Sequence, residues 1–416
     1  MGGTTSLGDC LVALGHLAYP PDLVKGPRLP QYERAFARQV GVAHAYSFSS
    51  GRVGLYGLLR AMGLGDGDEV LLQVPTHIVV ANAIRYTGAR PVYVDCTPDT
   101  FEIDLSDAER KVGPRTRALI LQHTFGIPCD LDRAAALAQR HGLEVIEDCV
   151  HALGASYRGR QVGSLGRAAF FSTEETKTIS TTMGGMVTTD DADLAASMRR
   201  FQDGCSWPSR GLTVRYLLKL VIYHVLTQPN IHYYARRLYE ALGRPQPLPE
   251  PTTPAEKAGG RPPDYERRLS NAQAAIGLRQ LRRLRRNLDH RHDMAAAYRE
   301  RLVERGVVMP SLAPEREPAY LRIPLAVADR AAAVRAAARV AVLGTWFTSV
   351  LEESSSPLDG DYEPGSCPTA EAAARHLVNL PTHGRTRAED VDAIVSALMP
   401  SSPAGTLDEV QNPRLT

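Results

Sequence analysis

The chain has 416 residues, 44% hydrophobic and 23% charged, with 48 Lys and Arg against 46 Asp and Glu for a net charge of +2. Such a composition excludes wholesale disorder, and the near-neutral balance excludes the basic excess of a nucleic-acid binder. The six cysteines, at 10, 96, 129, 149, 205 and 367, form no CxxC pair; no zinc cage or disulfide scaffold is expected, no metal is assigned, and a reducing cytoplasm is the expected setting.

Residues 1–28 lack a basic start followed by an apolar run and read as an N-terminal arm. From there strand-like and helix-like runs alternate. Glu69-Val70-Leu71-Leu72-Gln73-Val74 is a short apolar strand, Ile78 to Tyr86 a helix ending at Gly88, and Pro91 to Asp95 the next strand. Ala118 to Gln122 is another strand, Leu131 to His141 a helix and Leu143 to Asp148 a further strand. Ala168 to Ser172 and Gly185 to Thr189 complete the series. Alternation of this kind predicts an α/β fold with a mainly parallel sheet, whose ligands collect at the carboxyl ends of the strands.

Residues 212–242 are apolar but interrupted by Arg215, Lys219, His224, Pro229, Arg236 and Arg237. They read either as two helices packed on the body or as a surface that meets a membrane or a lipid-linked substrate; no stretch has the ~20 apolar residues of a membrane span. Residues 243–263 form a Pro-rich loop, and one long amphipathic helix is expected over 266–302. A smaller C-terminal domain follows over 303–400, with a strand near Tyr320 to Leu325 and helices at 329–339 and 387–398. Residues 401–416 read as a flexible tail.

The chemistry concentrates at strand ends. Lys177 stands five residues after the strand-end Ser172, and Gly184-Gly185 lead into the next strand. A lysine there can form a Schiff base with an aldehyde cofactor, and the serine can bind that cofactor's phosphate. Asp148 ends a buried strand, where a carboxylate can keep the pyridine nitrogen of pyridoxal phosphate protonated. His151 can contact the ring substituents or sit as a satisfied core histidine. Ser50-Gly51 opens a helix, whose first N–H groups and small hydroxyls make an anion site. Arg52 can reach a phosphate there or point to solvent.

These residues resemble the fold-type-I, pyridoxal-phosphate-dependent sugar aminotransferases of the DegT/StrS type, over about residues 29–400. The resemblance is carried by Leu29-Pro30-Gln31-Tyr32-Glu33, by Gly65-Asp66-Gly67-Asp68-Glu69-Val70, by Glu147-Asp148 with Leu153-Gly154-Ala155, and by Arg268-Leu269-Ser270-Asn271-Ala272-Gln273-Ala274-Ala275-Ile276-Gly277. It implies a large cofactor domain over 29–265 with a seven-stranded-type sheet, Lys177 as the Schiff-base lysine and Asp148 as the pyridine-nitrogen partner. It further implies His151 near the cofactor's phenolic oxygen, Ser172, Ser50, Gly51 and Arg52 at its phosphate, and His77 stacked on its ring. The implied reaction moves an amino group from glutamate or glutamine to a nucleotide-linked keto-sugar or a keto-cyclitol, in amino-sugar or antibiotic biosynthesis, with the site at a homodimer interface. Two other readings stay open: another reaction of the same cofactor (dehydration, decarboxylation or C–C chemistry), and a non-catalytic descendant. Retention of Lys177 argues against the dehydratases, in which histidine replaces it.

Three positions depart from the family pattern. Arg52 replaces the usual Thr, Glu266 falls where an Asn crosses from the partner subunit, and the stretch 204–265 is longer and more apolar than in compact members.

Overall fold

A computed structural model describes residues 3–228, 231, 234 and 252–399. The tail expected at 401–416, the later part of the apolar stretch and the start of the Pro-rich loop lie outside the described residues.

The elements that position the site are, in chain order, α1 (Leu7–Ala18), α2 (Arg28–Val40), β1 (His44–Phe48), α3 (Gly51–Ala61), β2 (Glu69–Gln73), α4 (Ile78–Arg85), β3 (Arg90–Val94), β4 (Thr116–Gln122), β5 (Glu144–Asp148), β6 (Ala168–Ser172), β7 (Gly185–Thr189), α5 (Arg210–Leu226), α6 (Asn271–Leu281), α7 (Leu284–Val303), β8 (Arg322–Ala326) and β9 (Leu377–Pro381). Seven strands form one sheet in the order β1-β7-β6-β5-β4-β2-β3. Only β7 runs against its neighbours, pairing antiparallel with both β1 and β6; the rest of the sheet is parallel, as the alternating pattern implies.

The period-2 alternation of each strand sorts its side chains into two cores. Val70, Leu72, Ile120, Ile146, Phe170 and Val187 enter one. Leu71, Leu119, Leu121, Ala169, Phe171 and Met186 enter the other. Both faces are covered, which is why these strands read as continuous apolar runs. A third core joins α7 to β8 and β9 through Tyr298, Ile323, Leu325, Val378 and Leu380.

The structure departs from three expectations. The N-terminal arm contains a helix, α1, whose fully buried Asp9 faces Arg279 at 3.1 Å and Arg283 at 3.2 Å. The single helix expected over 266–302 is two, because Arg283 leaves helical geometry (φ −107°, ψ 1°) where its side chain turns toward Asp9. The end of the Pro-rich stretch is folded: Thr253 and Glu256 close a capping box on a short helix, Pro254–Lys257. That helix docks on α4 through a hydrogen bond from Asn82 to the Glu256 carbonyl. Among the described residues, no helix is long and apolar enough to cross a membrane.

Candidate active site

Parallel neighbours β4, β5 and β6 end side by side, so their last residues share one edge. Asp148 closes β5 and is fully buried. Its Oδ1 accepts the Val150 N–H at 3.0 Å, while its Oδ2 has no hydrogen-bond partner. Burial pushes this carboxyl up to about 7, against the downward pull of the Val150 N–H, Lys177 and His123.

Lys177 lies on the loop between β6 and β7. Its N–H donates to the Glu174 carbonyl at 3.1 Å, and the Thr4 hydroxyl donates to its own carbonyl at 3.1 Å. The side chain is 6% exposed, with Nζ 4.2 Å from the ring centre of Trp346. Burial pulls the ammonium down to about 8, although Glu174 and Asp148 favour the charged form. A lysine amine and an unsatisfied carboxylate are therefore both buried, feel one another's charge and are both displaced toward neutrality. Perturbations of this size cluster at functional sites.

His151 is buried, and burial together with Lys177, Arg322 and His77 holds it well below its ordinary range, so it is neutral. Its Nδ1 accepts the Phe125 N–H at 3.3 Å, which leaves the proton on Nε2 as a donor. The ring stacks on Trp346 at 5.1 Å. His77 caps α4 by accepting the Val79 N–H at 3.3 Å, and its Nε2 stands 3.5 Å from Glu353. Both edges of that ring are engaged, so its faces are what it can offer a ligand.

At the start of α3, Ser50 caps the helix and the first N–H groups lack helical partners. A Cβ on Gly51 would stand 3.0 Å from the Phe171 carbonyl and 3.4 Å from the Ser172 Cβ. Glycine thus lets the α3 terminus lie close against Ser172, forming a cradle for an anion. The Arg52 side chain joins neither the cradle nor solvent: it pairs with the buried Glu256 at 2.6 Å. Glu266, where the resemblance led to the expectation of a cross-subunit Asn, pairs with Arg261.

The orphan Asp148 oxygen, the buried Lys177 amine and the α3 cradle fit pyridoxal phosphate: a ring-nitrogen partner, a nucleophile and a phosphate seat. A second titratable cluster, His123, Glu147 and Cys149, has metal-like proximity, yet Glu147 is saturated. It accepts the N–H groups of Gly163, Leu165 and Gly166 and faces His123 Nε2 at 3.1 Å.

Trp346 and Arg322, both in the C-terminal part, were not foreseen from the sequence. They lie well over a hundred residues from the motif they join, and no local spacing signals such a contact.

The family model described as the DegT/DnrJ/EryC1/StrS aminotransferase family matches residues 19–218 and 225–399. The chain belongs to this family. As a DegT/DnrJ/EryC1/StrS aminotransferase it is a pyridoxal-phosphate-dependent enzyme of fold type I. It is 32% identical to the GDP-perosamine synthase of Caulobacter vibrioides over 378 residues, 90% of each chain. It is 30% identical to the spore coat polysaccharide biosynthesis protein SpsC of Bacillus subtilis over 385 residues, again 90% of each. Among solved structures, DesV of S. venezuelae in complex with a ketimine intermediate superposes with a TM-score of 0.73 at 28% identity, covering 94% of this chain and 93% of that one. DesI in the presence of its TDP-sugar product gives 0.73 at 26% identity, covering 96% and 92%.

Proposed function

We propose that this aminotransferase moves an amino group from glutamate or glutamine to the keto group of a nucleotide-linked sugar, with Lys177, Asp148, His151, Ser172, Ser50, Gly51 and His77 forming its cofactor site. The observation that carries the reading is the vacant, buried Asp148 Oδ2, close enough to the buried Lys177 amine for each to act on the other's charge. The named activity of the GDP-perosamine synthase and the TDP-sugar product of DesI support the choice of acceptor.

Bound there, pyridoxal phosphate supplies an electron sink that eases proton loss from the carbon bearing nitrogen. Asp148, once paired with the ring nitrogen, is held as the carboxylate and keeps that nitrogen protonated. Lys177, at about 8, is about one-tenth neutral at pH 7, enough to act as a nucleophile and to carry a proton between two carbons. His151 would offer its Nε2–H to the cofactor's phenolic oxygen. The α3 terminus and Ser172 would hold the phosphate, with Arg52 contributing through its backbone, its side chain being committed to Glu256. The buried pocket limits access of water to the reacting groups.

A homodimer and a cytoplasmic setting belong to the same reading. The six cysteines, all free and buried, support a reducing compartment.

The test is to mix purified holoenzyme with L-glutamate or L-glutamine and then with a panel of nucleotide-linked keto-sugars and keto-inositols. The donor should bleach the visible absorbance and release one equivalent of 2-oxo acid, and a nucleotide-linked keto-sugar should restore the absorbance. Restoration by keto-inositols alone would overturn the acceptor, and release of carbon dioxide or water elimination without amino transfer would overturn the reaction.

A further inference from the structure

Two helices carry an apolar stripe that faces away from the body. On α1, Leu7, Leu11 and Leu14 recur at helical spacing, and on α5 Leu218, Ile222 and Val225 do the same. All six are between 44% and 66% exposed, while Cys10 and Ala13 of α1 and Leu217 and Leu220 of α5 are buried with Ala272 and Ile276 of α6 in one small core. Thirteen large hydrophobic side chains are exposed among the described residues; these two neighbouring helices hold six of them, and Tyr19 and Ile231 follow directly in sequence. Scattered singly, such residues need no explanation; gathered on one surface, they mark a site of interaction. A helix apolar on both faces is ordinarily buried on both, and α5 is buried on one.

The charges around the stripe select its partner. The single acid of α1 and α5 is Asp9, fully buried against Arg279 and Arg283. Lys219 turns inward to Glu175 at 2.7 Å, and His224 stands 3.0 Å from the Thr5 carbonyl. Arg210 and Arg215 are the charged side chains left exposed on α5. The exposed acids that flank the two helices in sequence are Asp22, beyond α1, and Asp203, which pairs with Arg268 at 2.7 Å. The bias extends along the chain: residues 204–239 contain four Arg, one Lys and six aromatic residues, and no Asp or Glu.

An apolar stripe with aromatic and cationic flanks and no acid is the pattern of helices that lie in the headgroup layer of an anionic bilayer. A second copy of the chain fits less well, because a two-fold contact sets a patch against itself; cations would then meet cations, with no acid of either helix to pair with them. The opposite side of α5 bears on the loop that carries Lys177, through Lys219 on Glu175 and through the Thr182 hydroxyl, which donates to the Tyr216 carbonyl at 3.2 Å. We propose that α1 and α5 form a docking face for an anionic lipid bilayer, with the leucine-rich stripe seated at the acyl-chain boundary and Arg210 and Arg215 meeting lipid phosphates, so that amino transfer takes place at a membrane surface.

The experiment sediments holoenzyme with vesicles of phosphatidylcholine alone or with about 30% phosphatidylglycerol. Wild type should bind the anionic vesicles several-fold better than the neutral ones, and less well at about 0.5 M salt. Leu11→Glu and Ile222→Glu should each weaken binding at least about 10-fold. Arg215→Gln should weaken it about five-fold on anionic vesicles alone. Melting temperature and amino transfer in solution should stay at wild-type values in all three. Leu218→Trp, which keeps the face apolar, should show a blue shift of its emission when anionic vesicles are added. Absence of wild-type binding to either vesicle would overturn the proposal, as would equal binding by the glutamate variants or an unmoved Leu218→Trp spectrum. Without vesicle binding, a smaller assembly of Leu11→Glu and Ile222→Glu in light scattering would assign the face to a second copy, and a lowered melting temperature of both would assign it to the chain itself.

Discussion

Glu147 and Asp148 are adjacent on β5, and strand alternation sends them to opposite faces of the sheet. Both are fully buried. Glu147 is surrounded by donors: three backbone N–H groups from the segment 163–166 and the His123 ring, which outweigh burial and hold its carboxyl below the usual range. Asp148 keeps one oxygen vacant, and burial pushes its carboxyl up. The first carboxylate stabilises the fold by tying the turn at 163–166 to the sheet. The second costs stability until a ligand supplies the missing donor. Two neighbouring acids with the same burial thus separate by how many of their hydrogen bonds the protein itself makes.

The comparison is sharpened most by the vacant side. Lys177→Ala should abolish amino transfer while leaving the melting temperature of the cofactor-free protein level or higher. Borohydride treatment of the holoenzyme, read by mass spectrometry, should leave cofactor attached to wild type and not to the variant. An adduct on the variant would assign another nucleophile.

On the saturated side, Glu147→Gln should destabilise the protein by about 3 kcal/mol in urea unfolding, because several buried N–H groups lose a charged acceptor. A change below about 1 kcal/mol would show that the turn at 163–166 finds other partners.

The smallest effect is the pH dependence of the cofactor-free protein. The Asp148 carboxyl titrates near 4 when unfolded and at about 7 when folded, so the folded state binds the extra proton between those values. Its contribution to stability therefore falls as pH rises from about 4 to about 7 and is level above. The melting temperature of apo wild type, minus that of apo Asp148→Asn, should decline across that window in calorimetry, and the decline should shrink in the holoenzyme. A flat difference would mean that Asp148 finds a partner without cofactor.

The large sheet was legible because each parallel strand is a continuous apolar run ended by a polar or small residue. The edge that collects Asp148, Ser172 and Lys177 follows from those strand ends. The α3 cradle was legible in Ser50-Gly51, since a small residue is needed where a helix start approaches another backbone. Arg52 was not: its partner, Glu256, comes from a Pro-rich segment read as a loop. Trp346 and Arg322 reach the site only because β8 and the chain before β9 fold back over the strand ends, a contact between distant segments that no local period encodes. The break at Arg283 was hidden for the same reason. The residues around it favour a helix, and the interruption coincides with a grip by Asp9, far off in sequence.

That grip continues to the loop that carries Lys177, because Thr4 donates its hydroxyl to the Lys177 carbonyl. Thr4 is thereby a strut for the loop between β6 and β7. A substitution at Thr4 therefore acts on the posture of a lysine more than 170 positions away.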